Sequence, residues 1–253
     1  VGVWGRRGGA VVGVLVAGVA VVGCGSVDAA GAPVEREVFA FQGRELVVDS
    51  VGSDLVVSSG DVEDVRVERQ VDGWGVGGSG AEARWELVDG RLRIRVECDG
   101  IVSGCSAVHR VLVPRDVAVS VGGDDGDVAV EGFATAVKVR SENGDVRVAK
   151  VSGALDLASD NGDVRAEDGI GSGEVVVRSE NGDVRLALGV VPRRVDVAGE
   201  NGDLTVTLPR AEYEVGGSSE NGDRRVDVPV REGSGRTVDV RSQNGDVTVR
   251  TAN

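Results

Sequence analysis

The sequence predicts an all-β protein, more specifically a β-solenoid of about 20-residue repeats with an irregular N-terminal β cap. Composition is the first reason: 40 glycines and seven aromatic residues among 253 argue against long helices and against a core of bulky anchors. The second is a short motif that returns at nearly constant spacing along the C-terminal half. The third is strict alternation of valine with charged residues on either side of that motif, the pattern of a half-buried strand. The chain carries 42 acidic against 28 basic residues, a formal charge of -14, so a phosphate backbone is repelled and no nucleic-acid partner is expected.

The N-terminal residues read as an export signal. Arg6 and Arg7 precede Gly8 to Val22, a stretch without charged or polar side chains, followed by Gly23 and Cys24. That stretch is too short and glycine-rich for a stable helix across a bilayer of about 30 Å, but it suits the apolar region of a signal peptide, residues 1–23. Val21-Val22-Gly23-Cys24 resembles the lipobox of bacterial lipoproteins. The resemblance implies that Cys24 is acylated and that the chain is held on the extracytoplasmic face of a cell membrane by a lipid anchor. An ordinary signal peptide, or a membrane span with a buried cysteine, is the competing reading. The arginine pair leaves both Sec and twin-arginine export open. A chain that starts with Val and has no Met fits a non-ATG start translated literally, which predicts a complete N-terminus. Loss of residues 1–23 removes two arginines and no acids, leaving 26 minus 42, or -16. Residues 24–34, with Gly25 to Pro33 small and flexible, read as a tether.

Residues 35–118 form a less regular β segment. Leu46 to Val57 looks like a worn copy of the repeat, with Ser53-Asp54-Leu55 in the place of Gly-Asp-Val. Val65 to Glu68, Arg84 to Leu87 and Leu92 to Val96 alternate as ordinary strands between glycine-rich loops, and Trp74 and Trp85 are expected in the core or lid. Cys98 and Cys105 lie close in sequence with two glycines between them, so a local disulfide is expected in an oxidising compartment. A metal pair needs further ligands; His109 is the only histidine, and no zinc site can be assembled. No cofactor is expected.

Residues 119–253 are the repeat. Its turns are Asn143-Gly144-Asp145, Asn161-Gly162-Asp163, Asn181-Gly182-Asp183, Asn201-Gly202-Asp203, Asn221-Gly222-Asp223 and Asn244-Gly245-Asp246, with a degenerate copy at Asp125-Gly126-Asp127. Within a unit Val137, Val139 and Ser141 alternate with Lys138, Arg140 and Glu142; after the turn Val146 and Val148 alternate with Arg147 and Ala149. The Asn-Gly pair suggests positive φ angles at a tight turn. Two architectures satisfy the pattern. An antiparallel meander makes every Asn-Gly a hairpin turn, whereas a solenoid makes every unit a rung and stacks equivalent residues about 4.8 Å apart. Near-constant repeat length and the recurring Asn favour the solenoid.

The chemistry of an enzyme is not visible. His109 alternates like a strand side chain, and the acids recur once per unit, as a structural ladder does and a catalytic pair does not. A row of Asp side chains could attract calcium, but Arg147, Arg165, Arg185 and Arg225 each follow an Asp by two residues and can neutralise it, so calcium is the disfavoured reading. The chain stops at Asn253 directly after the last repeat, which predicts an uncapped terminal rung open to strand addition.

The lipobox, the paired cysteines and the repeated (Ser/Gly)-x-Asn-Gly-Asp-(Val/Leu) together resemble the bacterial "putative-adhesin" family of β-strand-repeat domains of unknown function, especially lipoprotein members from high-GC Gram-positive bacteria. The resemblance spans about residues 35–253. It implies a non-catalytic extracytoplasmic binding surface for an envelope protein or a polysaccharide; the alternative is an envelope scaffold or sensor component working through protein partners.

Overall fold

The computed structural model describes residues 29–78 and 80–252; the signal segment, Cys24 and most of the tether lie outside them. Among the described residues there are 21 strands, a single 3-10 turn at Ala29–Gly31 and no α-helix, so no helix is long and apolar enough to cross a membrane. The strands form a ten-stranded and an eleven-stranded sheet, pressed face to face.

Each repeat contributes one strand to each sheet. The third rung is the simplest: β10 (Val137–Asn143) runs along the ten-stranded sheet, the Gly144-Asp145 corner turns the chain, and β11 (Val146–Ala149) runs along the eleven-stranded sheet. The same rung is made by β2 (Glu45–Val51) with β3 (Asp54–Gly60), β8 (Ala118–Asp125) with β9 (Val128–Glu131), β12 (Leu155–Asn161) with β13 (Val164–Ile170), and β14 (Glu174–Asn181) with β15 (Val184–Leu188). Three more follow: β16 (Arg194–Asn201) with β17 (Leu204–Leu208), β18 (Glu214–Asn221) with β19 (Arg224–Asp227), and β20 (Thr237–Asn244) with β21 (Val247–Thr251). Neighbouring rungs pair in parallel and in register: Asn143 lies opposite Asp125 on one side and Asn161 on the other. The strands flanking each corner therefore belong to different sheets, and the antiparallel meander is overturned. β2 and β3 lie against β8 and β9, so the worn copy at Leu46 to Val57 is a full member of the stack.

Alternation dictates what fills the space between the sheets. Val137, Val139, Val146 and Val148 are all buried, and so are their counterparts in the other regular rungs, so one valine ladder above another replaces a core of large side chains. Ser141, Ser159 and Ser179 take the last inward position of their strands, and each hydroxyl donates to the carbonyl of its own corner glycine at 3.2–3.3 Å, which satisfies a buried polar group. Phe133 and Tyr213 close the opposite corners; Tyr213 is fully buried and its hydroxyl donates to the Pro209 carbonyl at 2.8 Å.

The corner itself differs from the sequence expectation. Asn143 ends a strand with ordinary extended backbone, and only Gly144, at φ +134°, is left-handed. A Cβ on Gly144 would lie 2.2 Å from the Gly126 carbonyl oxygen of the rung below, and one on Gly162 would lie 2.2 Å from that of Gly144. Glycine is required because stacked corners bring backbone against backbone, and not because a type I′ hairpin needs it.

Two features were not expected from chain order. The last rung is not the outermost: β20 and β21 insert between β16/β17 and β18/β19, pairing in parallel with both neighbours. The expectation of an open C-terminal rung is therefore corrected, since the final strands are flanked on both sides and the preceding rung forms the edge. At the other end, β4 (Val65–Val76), β5 (Gly80–Val88), β6 (Arg91–Asp99) and β7 (Val102–Pro114) leave the regular path. β6 joins β2 and β7 joins β3 in parallel; β5 and β4 then add antiparallel, and β1 (Glu35–Phe39) pairs antiparallel outside β4. This is the N-terminal cap.

Candidate functional site

In-register stacking turns each motif position into a row. The motif Asp residues make the most tightly bonded one. Oδ1 of Asp127, Asp145, Asp163 and Asp183 each accepts the backbone N–H of the Asp one rung on, at 2.9–3.0 Å, and Asp54 of the worn copy starts the series by accepting from Asp127 at 2.9 Å. Asp203 accepts from Asp246, and Asp246 from Asp223, both at 2.8 Å, so the row follows the inverted order of the last two rungs. Oδ2 faces the arginines: Arg147 bridges Asp127 (2.7 Å) and Asp145 (2.8 Å), and Arg165 bridges Asp145 (3.0 Å) and Asp163. Arg185 holds only Asp183, and Arg225 on the outermost rung makes no ion pair among the described residues, so the neutralisation expected of it is not formed. The N–H of Asp163 and then the Arg165 guanidinium hold the Asp145 carboxyl below its ordinary pKa. From Asp127 to Asp183 the oxygens that would serve calcium are thus engaged by backbone and arginine, while Asp203, Asp223 and Asp246 form no ion pair among the described residues.

The motif asparagines make a second row. Asn161 Nδ2 donates to Asn143 Oδ1 (3.2 Å), Asn181 to Asn161 (3.1 Å), Asn201 to Asn181 (3.0 Å), Asn244 to Asn201 (3.0 Å) and Asn221 to Asn244 (3.1 Å). An amide carries both donor and acceptor, so identical residues can chain indefinitely, which is why the repeat keeps Asn.

Outside these rows lies a third that nothing neutralises. In spatial order it reads Asp124, Glu142, Asp160, Glu180, Glu200, Gln243, Glu220. Among the described residues none of these carboxylates forms an ion pair, and Asp124 foremost raises the pKa of Glu142 above its ordinary value. Beside it on the ten-stranded sheet runs an alternating row, Gly122, Arg140, Ala158, Arg178, Ala198, Arg241, Ser218. The alternation exists only because β20 lies inside β18. Arg140 pairs with Asp156 (3.0 Å), Arg178 with Asp196 (3.3 Å) and Arg241 with Asp239, so each guanidinium turns away from the acidic row. Between these teeth runs a groove of about 460 Å³, lined by Ala158, Arg178, Ala198 and Arg241 and by the acids Asp160, Glu180, Glu200 and Glu220. A larger trough of about 740 Å³ beside β1 has mixed charge and contains the exposed Arg36–Glu68 pair at 2.6 Å.

The residues of nucleophilic interest are sealed. His109 Nδ1 lies 2.7 Å from Ser53 Oγ, which is also 2.9 Å from the Asp54 carbonyl. His109 is 0% and Ser53 5% exposed, so the pair meets no substrate. Burial first, and then the nearby Arg69 charge, lower the His109 pKa to about 4. Trp85 meets His109 and Phe39 edge-on, with ring centroids 6.1 and 6.4 Å apart, and Arg69 sits 4.2 Å over its ring. Trp74 is partly buried, and its buried Nε1 has no partner among the described residues. Cys98 on β6 and Cys105 on β7 are joined by a disulfide, with Cα atoms 6.0 Å apart, which ties the two sheets together near the tip of the cap.

The family model of Toastrack DUF4097 matches residues 102–250, more than half of the chain. The chain belongs to the Toastrack family. Three solved structures align over most of this Toastrack chain. A "putative cell adhesion protein" from Clostridium sporogenes ATCC 15579 is 13% identical, with 87% of this chain and 100% of that one covered and a TM-score of 0.40. A "putative adhesin" from Bacteroides fragilis NCTC 9343 is 13% identical, with 87% and 97% covered and a TM-score of 0.49. Another from Parabacteroides distasonis ATCC 8503 is 8% identical, with 86% and 98% covered and a TM-score of 0.42. No curated protein matches the chain.

Proposed function

We propose that this Toastrack chain is a lipid-anchored, extracytoplasmic, non-catalytic, adhesin-like protein whose stacked face binds an envelope protein or a polysaccharide. The observation that carries the reading is the ten-stranded face: an uncompensated row that is acidic on six of its seven rungs, Gln243 being the exception, beside guanidinium groups repeating at every second rung, all fixed by backbone register. Such an array suits a repetitive or extended ligand, because every contact is set in place before binding and little ordering entropy is lost. Cys24 in its lipobox supplies the anchor in this reading. The test is in-cell crosslinking of the anchored protein, then affinity capture and mass spectrometry, with Cys24→Ala as the mislocalised control. Recovery of one envelope protein, lost in the control, supports a protein-directed scaffold or sensor role. Retention on purified cell wall without a protein partner supports polysaccharide binding. Either result supports the proposal; recovery of nothing by both routes overturns it.

A further inference from the structure

Two sheets have four edges, and three of them are guarded. β1 is five residues long and reads Glu-Arg-Glu-Val-Phe. β19 has four residues and places Arg224 at the inward position that Val184, Leu204 and Val247 take in other rungs. β18 carries Gly216 and Gly217 beside Asp239 and Val240 of β20, with Gly217 at φ +111°. Short strands, inward charge and irregular backbone are the devices that stop a sheet edge from pairing with another chain.

The fourth edge, β5, is neither short nor charged along its inward row, and its one left-handed residue is Gly80, at φ +81° in its first position. Its nine residues pair with β6 in unbroken register from Gly80 opposite Asp99 to Val88 opposite Arg91, without proline or bulge. The inward row is Ala81, Ala83, Trp85 and Leu87, and all four are only partly buried, whereas Leu46 and Val48 in the inward row of β2 are 0% exposed. One further strand would complete that burial. A groove of about 520 Å³ follows the edge, lined by Ala83, Trp85, Glu86 and four arginines: Arg69, Arg84, Arg93 and Arg95. In a chain of net charge -14 this is a local cationic island. Arg84 and Arg93 are held by Glu82 and Glu86 at 3.0 Å, but Arg95 makes no ion pair among the described residues. Arg69 donates to the Ala83 carbonyl at 3.0 Å, so an incoming strand shares or displaces that one bond.

We propose that the β5 edge is a strand-addition site for an extended acidic segment of a partner protein. The backbone of β5 supplies the ladder; alternate apolar side chains of the incoming segment cover Ala83, Trp85 and Leu87, and the acidic side chains between them face Arg84 and Arg95. A second copy of this chain is the weaker occupant, because two bodies of like charge repel. The inference rests on the reading of the chain as a binding protein and gives it a site.

The probe is acetyl-Glu-Val-Glu-Val-Glu-Val-Glu-amide titrated into the full chain, with the Lys-for-Glu peptide and an alternately N-methylated acidic peptide as controls. Binding of the acidic peptide with a change in tryptophan fluorescence is expected, at least tenfold tighter than either control. Arg95→Glu, an exposed change that leaves the circular dichroism intact, is expected to weaken it at least tenfold. Equal binding of the N-methylated peptide, indifference to Arg95→Glu, or concentration-dependent dimers crosslinked through β5 would each overturn the site. Partner capture in cells without peptide binding at β5 overturns this site alone and leaves the binding reading standing; peptide binding with neither partner capture nor cell-wall retention does the reverse.

Discussion

At the scale of single residues, His109 is the group whose titration the fold feels. Its pKa lies at about 4 in the folded chain, against about 6.5 when unfolded, so between these values the unfolded state binds a proton that the folded state refuses. Its contribution is fully present above pH ~6.5 and is lost as pH falls, by about 3 kcal/mol once pH is below ~4. Denaturant unfolding between pH 7 and 4 should show that slope over the background of the carboxylates, and His109→Gln should lose it. The corner glycines make a sharper demand. Gly162→Ala places a Cβ 2.2 Å from the Gly144 carbonyl oxygen on a left-handed backbone, and should cost about 3 kcal/mol or more in thermal or urea unfolding. Asp145→Asn leaves a neutral acceptor for the Asp163 N–H but removes one of the two carboxylate partners of Arg147 and of Arg165, so a loss of about 1 kcal/mol is expected, smaller at pH 2 than at pH 7.

At the scale of an element, the outermost rung explains its own departures from the repeat. Arg224 and Gly217 are poor choices inside a stack and good ones on its last member, where burial is partial and an exposed apolar edge invites association. Arg224→Val, which restores the repeat pattern, is therefore expected to promote concentration-dependent association, seen by light scattering or sedimentation, with little change in circular dichroism. The sequence contains the sign of this role: Ser219-Glu220-Asn221-Gly222-Asp223 is followed by Arg-Arg where other copies have an apolar residue, and the next copy is 23 residues away where others are 18 or 20. Reading that as an inversion of two rungs needs knowledge of which surface each strand meets, and a one-dimensional pattern does not hold it.

At the scale of the molecule, nearest-neighbour stacking carries the stability, so the chain should tolerate loss of a whole rung better than distortion of one. Deletion of Asp145 to Gly162 joins Gly144 to Asp163 in phase and should leave a folded β-protein with reduced thermal stability, checked by circular dichroism and calorimetry. Leu157→Ala, which opens a void in one rung, should cost about 3 kcal/mol. The deletion also removes Ala158 and brings Arg140 beside Arg178, so ligand binding by the groove should suffer more than the fold does.

Much of this was legible in the residues themselves. Alternation of Val with charge determined the strands and their inward faces, because the side-chain period of a strand is two; the near-constant spacing of Asn-Gly-Asp favoured parallel stacking, because a solenoid sets identical residues side by side. The family resemblance at the level of a β-strand repeat was likewise carried by that motif. The tertiary structure decided the rest. The corner glycine answers to the backbone of the neighbouring rung and not to its own turn, and His109 owes its low pKa to burial and to Arg69, 40 residues away in sequence. The alternating arginines on the ten-stranded face and the bare β5 edge likewise depend on which strand finishes beside which. Local pattern fixes what a residue can do within its strand; contacts between distant strands fix what surrounds it, and surroundings set both charge and exposure.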